Sequence, residues 1–216
     1  MVNKNYKNQD GLKGDYKRKY PSRERIDLLL KVGLEKNPGK WVNHSRTMAQ
    51  VAYKIAEDLN MDPDFAYACG ALHDIGRTDG FSYIDHILRG YRILEDYPDV
   101  AKICLTHSFP IKDARTYGGK IDISQEDFNF IIAYIEKIDY DDYDLLIQLL
   151  DSCITGDGCV IQEKRFIDVG LRYGIKENSP DKWKKLIGLR KYFESKLGKS
   201  IYAYMDDVYE NSLGTI

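Results

Sequence analysis

Six histidine and aspartate residues of this 216-residue chain have the types and positions of metal ligands. The chain has only four histidines, and each lies three, four or seven residues from apolar or small residues of its own segment. That spacing places all four side chains on the inward faces of helices. One aspartate follows the second histidine directly, and another lies within the apolar stretch LLIQLLDSCI. The six residues are His44, His73, Asp74, His86, His107 and Asp151.

These polar side chains lie in apolar surroundings, where burial is costly unless each group has a partner. Each could have an unrelated partner, because a lone inward histidine commonly bonds to a backbone carbonyl and a lone aspartate commonly caps a helix. One shared partner explains all six more simply, namely a metal cluster inside a helix bundle. A ligand set of imidazoles and carboxylates without thiolates suits Fe, Mn, Zn or Ni.

The adjacency of His73 and Asp74 predicts two metals rather than one. Neighbouring side chains on a helix point about 100° apart, so both can face a cluster only if it lies against the side of the helix. An aspartate can offer one oxygen to each of two metals, whereas a histidine reaches one. We therefore expect a bridging carboxylate beside a terminal imidazole.

Two adjacent cations could hold a phosphate ester and lower the pKa of a bridging water, which would supply hydroxide at neutral pH for in-line attack. The predicted catalytic residues are Asp74 and Arg77. Arg77 could bind a non-bridging phosphate oxygen, or it could form a surface ion pair with Asp79 or another acid. The expected substrate-binding cations besides Arg77 are Arg46, Lys112 and Arg115. The last two belong to PIKDARTYGGKID, a stretch without periodicity that is predicted to be a specificity loop.

Apolar residues at three- and four-residue spacings predict an all-α fold that positions these ligands. Ser22 and Ser124 have the character of helix N-caps, and convincing period-2 segments are absent. The predicted helices span about residues 22–37, 43–59, 62–74, 83–96, 98–107, 124–135, 142–154, 160–173, 179–193 and 202–208.

In order and context, the candidate ligands resemble the HD-domain metal-dependent phosphohydrolase superfamily over about residues 25–155. That pattern is a histidine, a His-Asp pair and a distant aspartate. It is matched by His44 in WVNHS, His73-Asp74 in ALHDIGR and Asp151 in LLDSC. Two further histidines in YIDHILRGY and CLTHSFP match the dinuclear branch, which includes bacterial HD-type diadenosine tetraphosphate hydrolases.

The resemblance implies an HD-domain helical bundle that binds two divalent ions, drawn from Fe, Mn, Zn, Ni or Mg. The implied ligands are His44, His73, Asp74 and Asp151 for one ion, and Asp74, His86 and His107 for the other. The implied activity is hydrolysis of a phosphate ester or anhydride of a small phosphorylated metabolite, with a nucleotide as the expected class. Two alternatives stay open: a non-hydrolytic sensor module that binds a nucleotide or metal, and a diiron oxygenase on the same fold.

Three regions are expected along the chain. Residues 1–21 are polar and are predicted to be extended or partly disordered. Residues 22–155 are predicted to form the HD core. Residues 156–216 are predicted to form C-terminal helices packed on that core, which could also provide a homodimer interface.

The composition excludes several classes of partner. The 32 basic and 34 acidic residues give a net charge of −2, which offers no basic footprint for nucleic acid. The apolar runs are far shorter than the roughly 20 residues needed to cross a bilayer, and the N-terminus has no apolar signal region. The four cysteines form no CxxC pair, which favours reduced, packed thiols in a cytoplasmic protein.

Overall fold

The computed structural model describes residues 17–213, and these fold into ten α-helices, three short 3₁₀ helices and one two-stranded hairpin. The α-helices are α1 (Arg23–Lys36), α2 (Trp41–Asp58), α3 (Pro63–Leu72), α4 (Asp85–Ile93), α5 (Pro98–Thr106), α6 (Gln125–Lys137), α7 (Asp142–Asp151), α8 (Gln162–Tyr173), α9 (Ser179–Leu197) and α10 (Val208–Leu213). The 3₁₀ helices are Ile75–Asp79, Ala114–Thr116 and Ile201–Tyr204, and the antiparallel strands are β1 (Ile154–Thr155) and β2 (Gly158–Cys159). The predicted helical architecture is confirmed, with this hairpin as a small addition.

Local side-chain caps fix several helix starts. The Ser22 hydroxyl accepts a hydrogen bond from the Arg25 amide at 3.3 Å, and the Ser124 hydroxyl accepts one from the Asp127 amide at 3.1 Å. Both caps were predicted, and each satisfies a helical N–H group that has no partner within its helix. Asp62 caps α3 in the same way, with proline in the first turn of the helix.

Among the departures from the predicted helix bounds, three have a clear physical cause. The helix predicted to reach Asp74 ends at Leu72 and is followed by a 3₁₀ helix. The helix predicted to reach Ile154 ends at Asp151, because Ile154 pairs with Cys159 in the hairpin. The helix predicted over residues 202–208 is a 3₁₀ helix and then α10, separated by Asp207, whose φ of +53° is incompatible with a continuous right-handed helix.

The main apolar core joins the first helices to the C-terminal ones. It contains residues of α1, α2, α3, α5 and α7, together with Leu189, Phe193, Ile201 and Val208 from the C-terminal elements. A smaller cluster packs α4 and α6 around Phe109. The four cysteines are buried and free, in agreement with the predicted packed thiols.

Residues 17–20 of the predicted N-terminal segment lie along this core, whereas residues 1–16 are outside the described part of the chain. The Arg18 guanidinium lies 4.6 Å from the centroid of the Tyr143 ring, and the Tyr20 hydroxyl donates to an Asp62 carboxylate oxygen at 3.1 Å. Among residues 17–213, the helices are all too short or too polar to span a lipid bilayer.

Candidate metal centre

The six predicted ligands converge from separate elements. One histidine lies at the start of α2, one directly follows α3, one is in α4 and one directly follows α5. One aspartate directly precedes the first 3₁₀ helix and the other ends α7. The four histidines and Asp74 are buried, and Asp151 is half-buried. The structure thus brings together His44, His73, Asp74, His86, His107 and Asp151.

The ligands form two neighbouring groups, each with its donor atoms within 4.8 Å of one another. In the first group, His44 Nε2 lies 3.1 Å from His73 Nε2 and 3.3 Å from Asp151 Oδ1. The second group consists of Asp74, His86 and His107.

Asp74 connects the two groups. Its Oδ1 lies 3.1 Å from His86 Nε2 and 3.8 Å from His107 Nε2, whereas its Oδ2 lies 4.0 Å from His73 Nε2. The two oxygens therefore face different groups. A carboxylate in this arrangement could offer one oxygen to each group.

The histidine rings are oriented by backbone carbonyls. His73, His86 and His107 each donate their Nδ1 hydrogen to the carbonyl three residues earlier. The acceptors are the carbonyl oxygens of Gly70 (2.8 Å), Tyr83 and Cys104 (2.9 Å). A neutral imidazole that donates from Nδ1 has a lone pair on Nε2, so these rings present acceptors to the centre of the cluster.

The Nε2 lone pairs of these histidines show whether metal ions fit the centre of the cluster. Asp74 Oδ1 is buried without a hydrogen-bond donor and faces His86 Nε2 at 3.1 Å, so two acceptors are opposed. A cation between them removes this conflict, since it is attracted to both atoms. Buried imidazoles and carboxylates in two adjacent groups therefore fit divalent ions.

The electrostatics of the site favour neutral histidines and an ionised Asp74. Burial lowers the pKa of His73 and His86, and it lowers the pKa of His107 to about 4. Neutral imidazole is the form that coordinates metals. Burial alone would raise the pKa of Asp74, but the charge of Arg77 outweighs it and holds that pKa well below its usual range. Asp74 is therefore an ionised carboxylate.

Arg77 lies beside the cluster rather than in an ion pair with Asp79. Its Nε donates to Asp74 Oδ2 at 2.6 Å, and its Nη2 lies 3.4 Å from His86 Nε2. Asp79 instead pairs with Lys36 at 3.4 Å. Arg77 thus supports the orientation of Asp74 from the cavity side.

A cavity of about 790 Å³ opens onto the cluster and is lined by five of the six candidate ligands, all except the enclosed His73. This volume is in the upper part of the range of about 300–1,000 Å³ that is typical of ligand pockets. Tyr117, Gly118 and Gly119 of the predicted specificity loop line it.

Three predicted substrate-binding cations do not line the cavity. Arg46 is exposed on α2. The Lys112 Nζ lies 5.4 Å from the centroid of the Tyr140 ring, and Arg115 pairs with Asp113 at 2.7 Å. The loop faces the cavity through its tyrosine and glycines, which a prediction based on charge alone does not detect.

Four cationic residues that line the cavity were not predicted, and three of them lie in α8 and α9. The signal available in the sequence is local: Arg165 and Arg172 are seven residues apart, which places them on one helix face. Which surface that face meets depends on tertiary packing. The additional cations are Lys40, Arg165, Arg172 and Lys182.

Comparisons with known proteins find distant relatives. The chain is 27% identical over 128 residues to a Staphylococcus aureus protein named symmetrical bis(5'-nucleosyl)-tetraphosphatase, and the match covers 51% of this chain and 66% of that protein. The match therefore spans just under two thirds of the relative's length. A crystal structure of the HD domain of the L. monocytogenes phosphodiesterase PgpH is 16% identical, with a TM-score of 0.41 and coverage of 79% of this chain and 87% of that one.

The family model for the HD domain matches residues 41–155. The matched region is more than half of the chain and contains all six candidate ligands. It also falls within the region over which the sequence resembles that superfamily. The chain therefore belongs to the HD-domain phosphohydrolase family.

Proposed function

We propose that this protein is a metal-dependent phosphohydrolase that cleaves a phosphate ester or anhydride bond in a nucleotide. The observation that carries the proposal is the pair of buried ligand groups joined by Asp74 and open to one cavity. The nucleotide class is supported by the name of the S. aureus relative, which acts on bis(5'-nucleosyl) tetraphosphates.

The residues that would hold the ions are those of the two groups, with Asp74 shared. When bound, divalent ions polarise a phosphoryl group and lower the pKa of water, which makes hydroxide available for attack. The protein's own contribution is orientation and charge. The Nδ1 bonds fix three rings, and Arg77 fixes the carboxylate of Asp74. Arg77 also places a positive charge at the cavity wall, where guanidinium suits phosphate oxygens.

Metal content and phosphate release test this proposal together. Wild-type protein loaded with Mn, Fe, Ni or Mg is incubated with a panel of nucleotides, and bound metal and released phosphate are measured. Asp74→Ala and His73→Ala are expected to lose metal and to lower phosphate release by at least about 100-fold. Asp79→Ala is a matched control, since Asp79 lies five residues away in an exposed ion pair. Unchanged metal content and unchanged release in Asp74→Ala would contradict the proposal.

The same assays separate the alternatives. Nucleotide binding without phosphate release in the metal-loaded protein would identify a sensor module. Iron-dependent oxygen uptake without phosphate release would identify a diiron oxygenase. Arg77→Met is expected to retain metal while releasing phosphate more slowly, because the loss is one of charge and positioning rather than of a ligand.

A further inference from the structure

The cavity extends beyond the metal centre to a wall formed by α8 and α9. Both helices lie outside the region matched by the family model. The contact with the centre is made by Arg165, whose Nε lies 3.5 Å from the backbone oxygen of Asp151. We define the α8–α9 wall by the cavity-lining residues Arg165, Phe166, Arg172, Lys182 and Trp183.

The wall carries surplus positive charge. Besides the candidate ligands, the cavity is lined by five cationic residues but only two carboxylates, those of Asp157 and Asp168. Asp168 Oδ2 accepts from Arg165 Nη1 at 3.0 Å and from Arg172 Nη2 at 2.5 Å, so a single carboxylate serves two guanidinium groups. One unit of charge in this trio is uncompensated, which favours an anionic ligand.

An aromatic surface adjoins these cations. The rings of Phe166 and Trp183 are stacked, with centroids 5.6 Å apart and planes 14° apart, and both residues line the cavity. Flat aromatic rings beside guanidinium groups are a common combination for binding bases and phosphates of nucleotides. Simple phosphate esters would use neither feature.

The arginine pair lies next to the metal centre. Arg165 contacts the residue that ends α7, and although Arg172 follows it by seven residues on α8, both guanidinium groups meet at Asp168 Oδ2. A molecule whose reacting phosphate lies at the metal centre would meet this pair of cations with its neighbouring phosphates. Phe166 directly follows Arg165, so the stacked rings are available to the remaining groups of the same molecule.

We propose that the α8–α9 wall is a specificity site for nucleoside polyphosphates. Arg165 and Arg172 bind phosphates that are not transferred, and Trp183 stacks on a base. This inference rests on the proposed phosphohydrolase function, because it assigns the remaining part of the same cavity. Both arginines and Trp183 are specificity residues in this assignment.

Kinetics on two kinds of substrate test the assignment. Arg172→Ala and Trp183→Leu are assayed with diadenosine tetraphosphate and ATP, and with p-nitrophenyl phosphate, which lacks the distal groups. The kcat/KM for the polyphosphates is expected to fall about 10-fold or more, and that for p-nitrophenyl phosphate by less than about 2-fold. Arg92→Ala is the matched control, since Arg92 pairs with Asp127 at 2.5 Å and does not line the cavity. Equal losses on both kinds of substrate, or no loss on either, would overturn the assignment.

A binding measurement separates this inference from the proposed function. The chain has two tryptophans, so Trp41→Phe leaves Trp183 as the only indole. Titration of this variant with a non-hydrolysable ATP analogue is expected to change its fluorescence, and adding Arg172→Ala is expected to weaken binding about 10-fold. If both the fluorescence change and the weaker binding are seen but no phosphate is released, the assignment of the α8–α9 wall is supported and the proposed phosphohydrolase function is contradicted. If phosphate is released but there is neither a fluorescence change nor an effect of Arg172→Ala on binding, the proposed phosphohydrolase function is supported and the assignment of the α8–α9 wall is contradicted.

Discussion

Asp74 contributes to the candidate metal centre through both of its carboxylate oxygens. Its Oδ1 faces the second ligand group, and its Oδ2 accepts from Arg77 while facing the first group. A carboxylate in this position must be ionised despite its burial, and the neighbouring guanidinium makes that possible. Arg77 therefore keeps Asp74 ionised and also places its own half-buried charge at the cavity wall.

The burial of the four histidines at this centre is predictable from the sequence, because helical periodicity alone places their side chains inward. The hydrogen bond between Arg77 and Asp74 cannot be predicted from helical periodicity. It forms across a 3₁₀ turn, and that turn exists only because α3 ends at Leu72. The sequence left two roles open for Arg77, and only the packed structure shows that its partner is Asp74.

Lys182 gives a prediction for pH dependence at the scale of one side chain. Burial lowers its pKa from 10.5 to about 8, while its Nζ donates to the Thr116 carbonyl. Between pH 8 and 10.5 the unfolded chain then binds more protons than the folded one, so the free energy of unfolding rises with pH. Relative to Lys182→Met, the wild type should gain about 3 kcal/mol across this interval, as measured by urea unfolding.

The control for this effect is Lys184→Met, since the Lys184 side chain is 78% exposed. This variant measures the effect of removing an exposed amine over the same pH interval. If the difference between wild type and Lys182→Met changed no more than that between wild type and Lys184→Met from pH 8 to 10.5, Lys182 would not be desolvated in the folded protein.

At the scale of elements, the contact between the first 3₁₀ helix and α4 brings two ligands together. A Cβ added at Gly76 would lie 1.9 Å from the His86 carbonyl oxygen and 2.5 Å from the Gly90 amide nitrogen. Only glycine allows this approach of the two backbones. Because Gly76 lies two residues after Asp74, the contact places Asp74 beside His86.

Gly76→Ala should therefore separate the ligands. The expected cost is about 1–3 kcal/mol in the free energy of unfolding, because backbone atoms cannot move aside as a flexible side chain would. Metal bound by the purified protein should fall in parallel. Gly188→Ala in α9 is the control: nothing lies within 4 Å of its added Cβ, and the change should be neutral or stabilising by up to about 1 kcal/mol. Full metal content in Gly76→Ala would show that this approach does not position the site.

Helix starts and helix ends differ in how far the sequence determines them. The starts at Ser22 and Ser124 depend on side chains bonded to amides three residues away, so local sequence suffices. The end at Leu72 is followed by the close contact of Gly76 with α4, and the end at Asp151 is followed by the pairing of Ile154 with Cys159. Those partners lie outside the helix, where periodicity gives no information.

At the scale of the whole molecule, the cavity is assembled from parts distant in sequence. Lys40 precedes α2, whereas Arg172 lies in α8, and both line one cavity. No local pattern connects such residues, which explains why the predicted cations came from the stretches nearest the histidines. The ligand cluster was predictable because helical spacing within each local segment places its histidine inward.

A buried polar network ties α5 to α7 beneath this site. The Lys102 Nζ lies 2.6 Å from Asp144 Oδ2, and the Thr106 hydroxyl donates to Asp144 Oδ1 at 2.6 Å. Gln148 in turn donates to the Thr106 carbonyl at 3.0 Å. Asp144 is fully buried. Since His107 directly follows Thr106, the network also fixes the end of α5 that carries a ligand.

Lys102→Met should destabilise the whole fold, because it leaves the Asp144 carboxylate buried without its counter-ion. The expected loss is about 3–5 kcal/mol in the free energy of unfolding by urea. The exposed pair Lys184–Asp181 provides the comparison, and Lys184→Met should cost no more than about 1 kcal/mol. The double variant Lys102→Met/Asp144→Asn should recover part of the loss, since the neutral amide no longer needs a counter-ion. A cost for Lys102→Met as small as that of Lys184→Met would mean that the network does not hold α5 against α7.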